Sequence, residues 1–421
     1  LYAASGSDAI FVAVEMLPSR LLVVVNDPAF FVAQHLHLAL AARQAGFDVQ
    51  VAAPEGAGME VIRAHGFPFH PVRMRRGAIR PWQEARSLHD LVRLYRVVRP
   101  DLVYHITLKA ILHGTLAARL AGVPAVVNAN TGLGFTFIDD TWQGRLFRAA
   151  MQVAFRGIDG HENRVDLFLN PDDRATLLRL GMTRPATSVV IRGPGVDVRQ
   201  FSPAPEPPGV PVVVLAARML WHKGVGEFVE AARLLARQGV KARFVLVGDA
   251  DPGNLASIPR AQLQSWHDEQ VVEWWGYQSD MPAVFRQAHL VVLPSYREGL
   301  GKVLIEAAAM ARPLVATDVP GCREVCRPEV NGLLVPVQAV SPLATAMARL
   351  IASPELRQRF GQQGRQLVAS AFGTDTIAAQ TLAVFRHLLT PTPHRSPLSL
   401  SEHRMPSPTP ARPAVSPALA P

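Results

Sequence analysis

The chain has 421 residues, 49% of them hydrophobic, so it can bury two sizeable cores, and its length favours two or three domains over one. Lysine and arginine outnumber the acids 43 to 34, which favours anionic partners such as nucleic acid, phosphorylated substrates or an acidic membrane face without choosing among them. Only two cysteines occur, Cys322 and Cys326, which excludes a disulfide framework, fits a reducing compartment and reads as two buried thiols.

Residues 1–15, LYAASGSDAIFVAVE, lack the basic start of a signal peptide and precede Met16, so they are expected to be a dispensable extension. No apolar run reaches the roughly 20 residues that span a bilayer, because Glu15 and Arg20 interrupt the one candidate. From Arg20 onward short β-branched runs alternate with helical stretches, the signature of βα units around parallel sheets covered on both faces. RLLVVVND reads as a buried strand, AFFVAQHLHLALAARQ as one helix stopped at Gly46, and FDVQVAAP as the next strand. On that helix Leu36 and Leu40 read as core, and His35 and His37 as polar-face residues.

FHPVRMRRGAIRPW then places Arg73, Arg75, Arg76 and Arg80 beside Met74, Ile79 and Trp82, a basic, partly apolar loop suited to an anionic bilayer surface. The helix after it spaces Leu88, Leu91, Val92 and Tyr95 as a core-facing stripe. Strands follow at LVYHIT, PAVVNAN, DLFLN and SVVIRG. In open parallel sheets ligands bind beyond the carboxyl ends of strands, which makes His105 and the helix-start Lys109 candidates to face a cleft, while His113 reads as packed or surface.

GPGVDVRQFSPAPEPPGV is too rich in proline and glycine to continue a helix or a central strand, and residues 194–209 read as a hinge after an amino-terminal domain of residues 16–193. A second domain, 210–373, begins afresh with VPVVVLAAR and continues through RFVLVGD, VVEWWGY, HLVVLPS, RPLVATDV and GLLVPV. The expected fold class is α/β: two doubly wound, Rossmann-like parallel-sheet domains facing a cleft. Residues 374–389 read as a last helix, and the Pro/Ser/Thr/Ala-rich residues 390–421 as a disordered tail.

Two segments of the second domain carry chemistry. Arg218 ends VVVLAAR and Lys223 follows just before a helix starting near Gly224, setting two cations where a diphosphate could be held. In SYREGLGKVLIEAAAMARPLVATD a strand leads through a turn holding Glu298 into a helix beginning near Lys302, with Glu306 in its second turn. The two carboxylates bracket a helix start whose N–H groups suit phosphate, and Gly299 and Gly301 permit close approach. The acidic D-A-D at Asp249–Asp251 reads as a loop after a strand, and no metal site is expected.

Arg218 with Lys223, then Glu298 and Glu306 at E-x7-E spacing, resembles glycosyltransferase family 4, from about Leu21 to Leu389. The resemblance implies a retaining enzyme of the GT-B fold with no cofactor. Arg218 and Lys223 would neutralise the donor diphosphate, Glu298 would contact the transferred sugar, and Glu306 would hold the ribose hydroxyls. The loop and helix start Gly299, Leu300, Gly301, Lys302 and Val303 would complete the donor site, with Gly276 and Tyr277 near the nucleobase. Many members carry a histidine in the segment equivalent to VVNANTGLGFTF, where this chain offers Asn128, Asn130 and Thr131; Asn130 and Thr131 join His105 and Lys109 as acceptor-side candidates.

The chain looks most like the bacterial branch that extends polyprenyl-diphosphate-linked sugars. That implies a nucleotide-sugar donor, a lipid-linked saccharide acceptor, and a cytoplasmic enzyme peripheral at the inner membrane face. A dinucleotide oxidoreductase is disfavoured because Val229 stands where a third glycine of G-x-G-x-x-G would be. A sugar-nucleotide epimerase or a non-catalytic sugar-nucleotide-binding protein are the competing readings. Nucleic acid is not expected, since the basic residues are dispersed and match no reader module.

Overall fold

The computed structural model describes residues 18–74, 81–133, 142–158 and 161–391. The dispensable extension expected at 1–15, and the tail from 392 onward, lie outside the described residues. In the amino-terminal lobe the strands are β1 (Arg20–Val25), β2 (Asp48–Ala53), β3 (Phe69–Pro71), β4 (Leu102–Ile106), β5 (Ala125–Asn130), β6 (Arg164–Phe168) and β7 (Ser188–Val190). They form one sheet in the order β3-β2-β1-β4-β5-β6-β7, with every pairing parallel. Its helices are α1 (Pro28–Gln34), α2 (Leu36–Gln44), α3 (Met59–Ala64), α4 (Pro81–Val98), α5 (Leu108–Ala121), α6 (Trp142–Ile158) and α7 (Pro171–Arg179). β4 and β5 are buried along their whole length, as parallel strands covered on both faces must be.

The second lobe repeats the design. β8 (Val212–Ala216), β9 (Arg243–Val247), β10 (Glu273–Gly276), β11 (Leu290–Leu293), β12 (Leu314–Thr317) and β13 (Gly332–Val335) pair in the order β10-β9-β8-β11-β12-β13. Helices α8 (Val225–Arg237), α9 (Arg260–Asp268), α10 (Met281–Gln287), α11 (Lys302–Ala309), α12 (Pro320–Arg323), α13 (Val340–Ala352) and α14 (Pro354–Ala371) complete it. Two apolar clusters fill its two faces, one around Phe285 and Leu304 and one around Phe228 and Leu290.

The chain crosses between the lobes twice. After β7 the proline-rich segment is fastened to the second lobe: Phe201 enters its core, Arg365 donates to the Phe201 and Val198 carbonyls at 2.9 and 3.0 Å, and Arg357 grips Glu206 at 2.9 and 2.8 Å. The return is α15 (Thr374–Leu389), which sets Ile377, Leu382, Phe385 and Leu388 into the amino-terminal core. The two crossings are stitched together where Val196 N–H donates to Phe372 O at 2.9 Å and Thr374 N–H to Val196 O at 3.1 Å.

Several expectations need correction. The helix expected over residues 29–44 is two helices, because His35 leaves helical geometry at φ −127° and turns its ring inward between Phe30 and Tyr104. His35 is thus buried and His37 half-buried, and neither lies on a polar face. β3 falls in a segment read as loop; it is an edge strand, where Pro71 is tolerated despite having no N–H to donate. In the basic segment Met74 is buried instead of facing outward, whereas Arg73 stays exposed while gripping Asp90 with two bonds of 2.7 Å, and Trp82 is exposed as well. Arg75, Arg76, Ile79 and Arg80 lie outside the described residues. Among the described residues no helix is long and apolar enough to cross a membrane.

Candidate active site

A cavity of about 720 Å³ opens at the carboxyl ends of β8, β9 and β10. Arg218, just past β8, lines it together with Asp249 and Asp251 past β9 and Tyr277 past β10. Lys302, Val303 and Glu306 close it from the first turns of α11, and Ala33 reaches it from the opposite lobe, so the cavity lies between the lobes. Gly276 ends β10 at φ +66° but does not line the cavity, whereas Gln278 and Ser279 do. Trp274 and Trp275 pack against the two cores of this lobe.

The charges are ordered. Arg218 donates to Asp251 Oδ2 at 2.8 Å and is half exposed. Lys223 lies 2.5 Å from Glu298 Oε1, an oxygen that also accepts the Ser295 hydroxyl at 2.6 Å, and both ion-pair side chains are more than four-fifths buried. His222 stands among them: burial, then the Lys223 and Arg218 cations, hold its pKa below the ordinary value against the pull of Glu298. Glu306 is 8% exposed, and burial raises its carboxyl pKa while Lys302, 3.3 Å away, opposes that rise. α11 begins at Gly301 with no side-chain cap, so its amino end is available to an anion.

The turn that carries Glu298 is pinned from the other lobe. Asn170 caps α7 by accepting the Asp173 N–H at 2.7 Å and donates its amide to Gly299 O at 2.8 Å. Arg297 reaches the buried Asp173 carboxylate at 2.5 Å; burial raises the Asp173 pKa, opposed first by Arg297. A Cβ on Gly299 would stand 2.6 Å from Thr131 O and 2.8 Å from Gly132 Cα, and Gly132 itself holds φ +118°. Lys302 Nζ donates to Ala33 O at 2.9 Å.

The four acceptor-side candidates separate. Thr131 and Lys109 line a second cavity, of about 600 Å³, between β1, α5 and α6, whose apolar wall includes Phe30, Leu112 and Met151. On its rim Lys109 lies 2.8 Å from Glu84, and His113 lies 3.2 Å from the same carboxylate. Asn130 is buried, donating to Leu167 O at 3.2 Å. His105 does not face the cleft. It is fully buried one residue short of the end of β4, with Nδ1 donating to Asn128 Oδ1 and Nε2 accepting from Tyr95 Oη–H, both at 2.9 Å. Asn128 in turn donates to Asp166, so both belong to a buried polar network.

Sequence reasoning passed over Asn170, Asp173, Arg297, Ser295, His222 and Thr107. Asn170 had a signal, because it is the polar residue directly after the strand run DLFL and heads N-P-D-D, an N-cap pattern. Thr107 had none: this β-branched residue holds φ +81° at the cavity edge, and its buried hydroxyl lacks a partner.

Comparison with known proteins gives a consistent family. Residues 210–353 match the family model described as Glycosyl transferases group 1, and residues 20–160 the model described as Glycosyl transferase 4-like. A Campylobacter jejuni relative, N,N'-diacetylbacillosaminyl-diphospho-undecaprenol alpha-1,3-N-acetylgalactosaminyltransferase, is 24% identical over 355 residues, 81% of this chain and 92% of the relative. An Escherichia coli UDP-Gal:alpha-D-GlcNAc-diphosphoundecaprenol alpha-1,3-galactosyltransferase is 23% identical, covering 64% of this chain and 70% of its own. Among solved structures, a glycosyltransferase from Rickettsia africae superposes with TM-score 0.72 at 16% identity, covering 89% of this chain and 99% of that one. Anabaena HepE in complex with UDP does so with TM-score 0.70 at 18% identity, covering 87% and 99%. The structural likenesses carry the fold, GT-B. With one family model on each lobe, the two together spanning more than half of the sequence, the chain belongs to glycosyltransferase family 4 and is a glycosyltransferase.

Proposed function

We propose that the protein moves a hexose or N-acetylhexosamine, with retention of configuration, from a UDP-linked donor to a lipid-diphosphate-linked saccharide in bacterial surface polysaccharide or glycan synthesis. The observation that carries this reading is the interlobe cavity where Arg218, Glu306 and the uncapped start of α11 converge beside the Lys223–Glu298 pair. Arg218 and Lys223 each hold a carboxylate, and a diphosphate competes for both cations. Neutralising the charge that grows on the departing nucleoside diphosphate lowers the barrier without proton transfer to the leaving group.

In this reading Glu306 takes ribose hydroxyls, Glu298 the transferred sugar, the backbone from Gly299 through Val303 the phosphates, and Tyr277, 75% exposed, the base. Gly276 gives the turn its shape. Lys109 and Thr131 face the acceptor in the second cavity, which adjoins the Glu298 turn through Thr131. The printed activities of the Campylobacter and Escherichia relatives, both on undecaprenol diphosphate-linked saccharides, support the acceptor class, and the UDP complex of HepE supports the donor. The net charge of +9 suits work at the anionic inner face of the cytoplasmic membrane.

The test is a screen of UDP- and GDP-sugars against synthetic polyprenyl-diphosphate saccharides, read by product mass and anomeric coupling. An α-linked lipid product from an α-linked UDP-sugar is expected. Saturable UDP-sugar binding without a lipid-linked product from any pair would overturn the acceptor assignment.

A further inference from the structure

The loop that carries Asp251 is tied to the loop that carries Arg218. Met219 N–H donates to Asp249 O at 3.0 Å, Trp221 N–H to Ala256 O at 2.9 Å, and Ile258 N–H to Met219 O at 2.9 Å. The Ser257 hydroxyl accepts the Asp251 N–H at 2.9 Å. The backbone thus fixes Asp251 beside Arg218; both side chains line the interlobe cavity, joined by the 2.8 Å bond from Arg218 Nη1 to Asp251 Oδ2. Of the other acids in the lining, Asp249 is paired with Arg260 and Glu306 with Lys302. Asp251 is the acid placed to compete with a diphosphate for Arg218.

The two cation–carboxylate pairs at the site differ in how readily they exchange. Lys223 and Glu298 are more than four-fifths buried, and parting them strands buried charge. Arg218 is half exposed and Asp251 29% exposed, a setting in which an ion pair shifts an equilibrium by a factor of only about 1.4–5. Donor and product differ in charge. Transfer breaks the bond between the anomeric carbon and the terminal phosphate oxygen and leaves its electron pair on that oxygen; the acceptor oxygen takes the carbon, and its proton goes to solvent. Above a terminal-phosphate pKa of about 6 the diphosphate therefore leaves with one more negative charge than it brought. Cations alone would hold that product more tightly than the donor and delay turnover. A carboxylate tethered within reach opposes this, because its repulsion grows with the charge of the ligand.

We propose that Asp251 is a release residue, a carboxylate that yields Arg218 to the donor diphosphate by side-chain rotation and takes the cation back as the more highly charged product departs. It acts through Arg218 and is a positioning residue. The assignment rests on the nucleoside-diphosphate donor reading but on no particular sugar or acceptor.

The experiment titrates the full chain with UDP and with the β-methyl ester of UDP, whose cap removes the extra charge, at about pH 7.5. Wild type, Asp251→Asn, Arg218→Ala and the double variant are compared by calorimetry, with thermal unfolding as the fold control. Asp251→Asn should bind UDP about two- to fivefold more tightly, gain less for the methyl ester, and release UDP more slowly in a stopped-flow chase, at an unchanged unfolding midpoint. Added salt should shrink the gain. On the Arg218→Ala background the same substitution should leave UDP affinity nearly unchanged. Weaker UDP binding by Asp251→Asn would overturn the proposal by showing that the carboxylate orients Arg218 for phosphate. An equal gain with and without Arg218, or an equal gain for UDP and its ester, would reduce Asp251 to background charge and likewise sink it. A wild-type chain that binds neither ligand removes the donor reading and the proposal with it, whereas wild-type UDP binding without the Asp251→Asn gain removes the proposal alone.

Discussion

Gly299→Ala tests whether the approach of the two lobes matters for turnover. Its added methyl would stand 2.6 Å from the Thr131 carbonyl oxygen and 2.8 Å from Gly132 Cα, both backbone atoms of the opposite lobe. Ordinary contact needs about 3.5 Å, so the overlap approaches 1 Å. No rotamer relieves it, because Asn170 holds the Gly299 carbonyl and Arg297 is anchored on Asp173. The φ of Gly299 lies outside the left-handed region, so alanine brings no backbone strain of its own. The overlap therefore acts on closure alone. Overpacking of this size costs about 1–3 kcal/mol. If the sugar is transferred only when the lobes meet here, kcat/KM falls about 5- to 160-fold, at 1.36 kcal/mol per decade. UDP binding, resting on second-lobe groups, should change by less than about twofold, or about 0.4 kcal/mol. Steady-state kinetics beside titration calorimetry with UDP separates the two quantities. Wild-type kcat/KM in Gly299→Ala, or a loss of UDP affinity as large as the loss of turnover, would refute the reasoning.

Four further outcomes are expected. Lys223→Ala should lower kcat by about 10²–10³, the usual worth of one group aimed at developing negative charge; unchanged turnover would remove it from the mechanism. Glu306→Gln should raise the donor KM about tenfold, the loss of one charged hydrogen bond of about 1.5 kcal/mol, and a pure kcat effect would contradict a ribose role. His35 and His105 are held neutral, burial lowering their pKa to about 3 and about 4. The unfolded chain gains their protons as pH drops below the ordinary 6.5, so stability is complete above that value and declines toward the folded-state pKa. Between pH 6.5 and 5 each should cost about 1.6 kcal/mol, and the gap between urea midpoints at the two pH values should narrow by about that much in His105→Gln, with the share of His35 remaining; an undiminished pH difference in that variant would count against it. Chelation should leave activity intact, since Asp249 and Asp251 are engaged by Arg260 and Arg218; loss restored by a divalent ion would reverse that view.

The two sheets could be read from the chain because buried parallel strands are nearly continuous β-branched runs, and Glu298 and Glu306 ride on one strand–turn–helix unit, of which Glu306 lines the interlobe cavity and Glu298 pairs with Lys223. Residues whose meaning depends on distant partners could not be read. Arg297 and Asp173 meet across 124 positions and Asn170 and Gly299 across 129, contacts without local trace. His105 shows a subtler failure. It stands one residue before the end of β4, in register with Asn128, where Tyr95 and Asn128 still enclose its ring, and only beyond the strand end, where Thr107 leaves strand geometry at φ +81°, does the chain open to the cavity. The residue that reaches the cavity edge is Thr107, two places on. The break at His35 likewise came from tertiary packing, with Tyr104 and Phe30 accommodating a ring that helical periodicity had placed in water.

The docking of α15 into the first lobe bears on how the protein is made. Nearly 200 residues separate β7 from the end of that helix, so at ordinary translation speeds the nascent amino-terminal half waits about 10–40 s before its last covering segment leaves the ribosome. Throughout that interval Phe47, Tyr104 and their neighbours present a greasy face to the cytosol. A chaperone that shields early-emerging chains has an obvious client here, and a gene truncated ahead of residue 374 should yield aggregates instead of a usable half-enzyme.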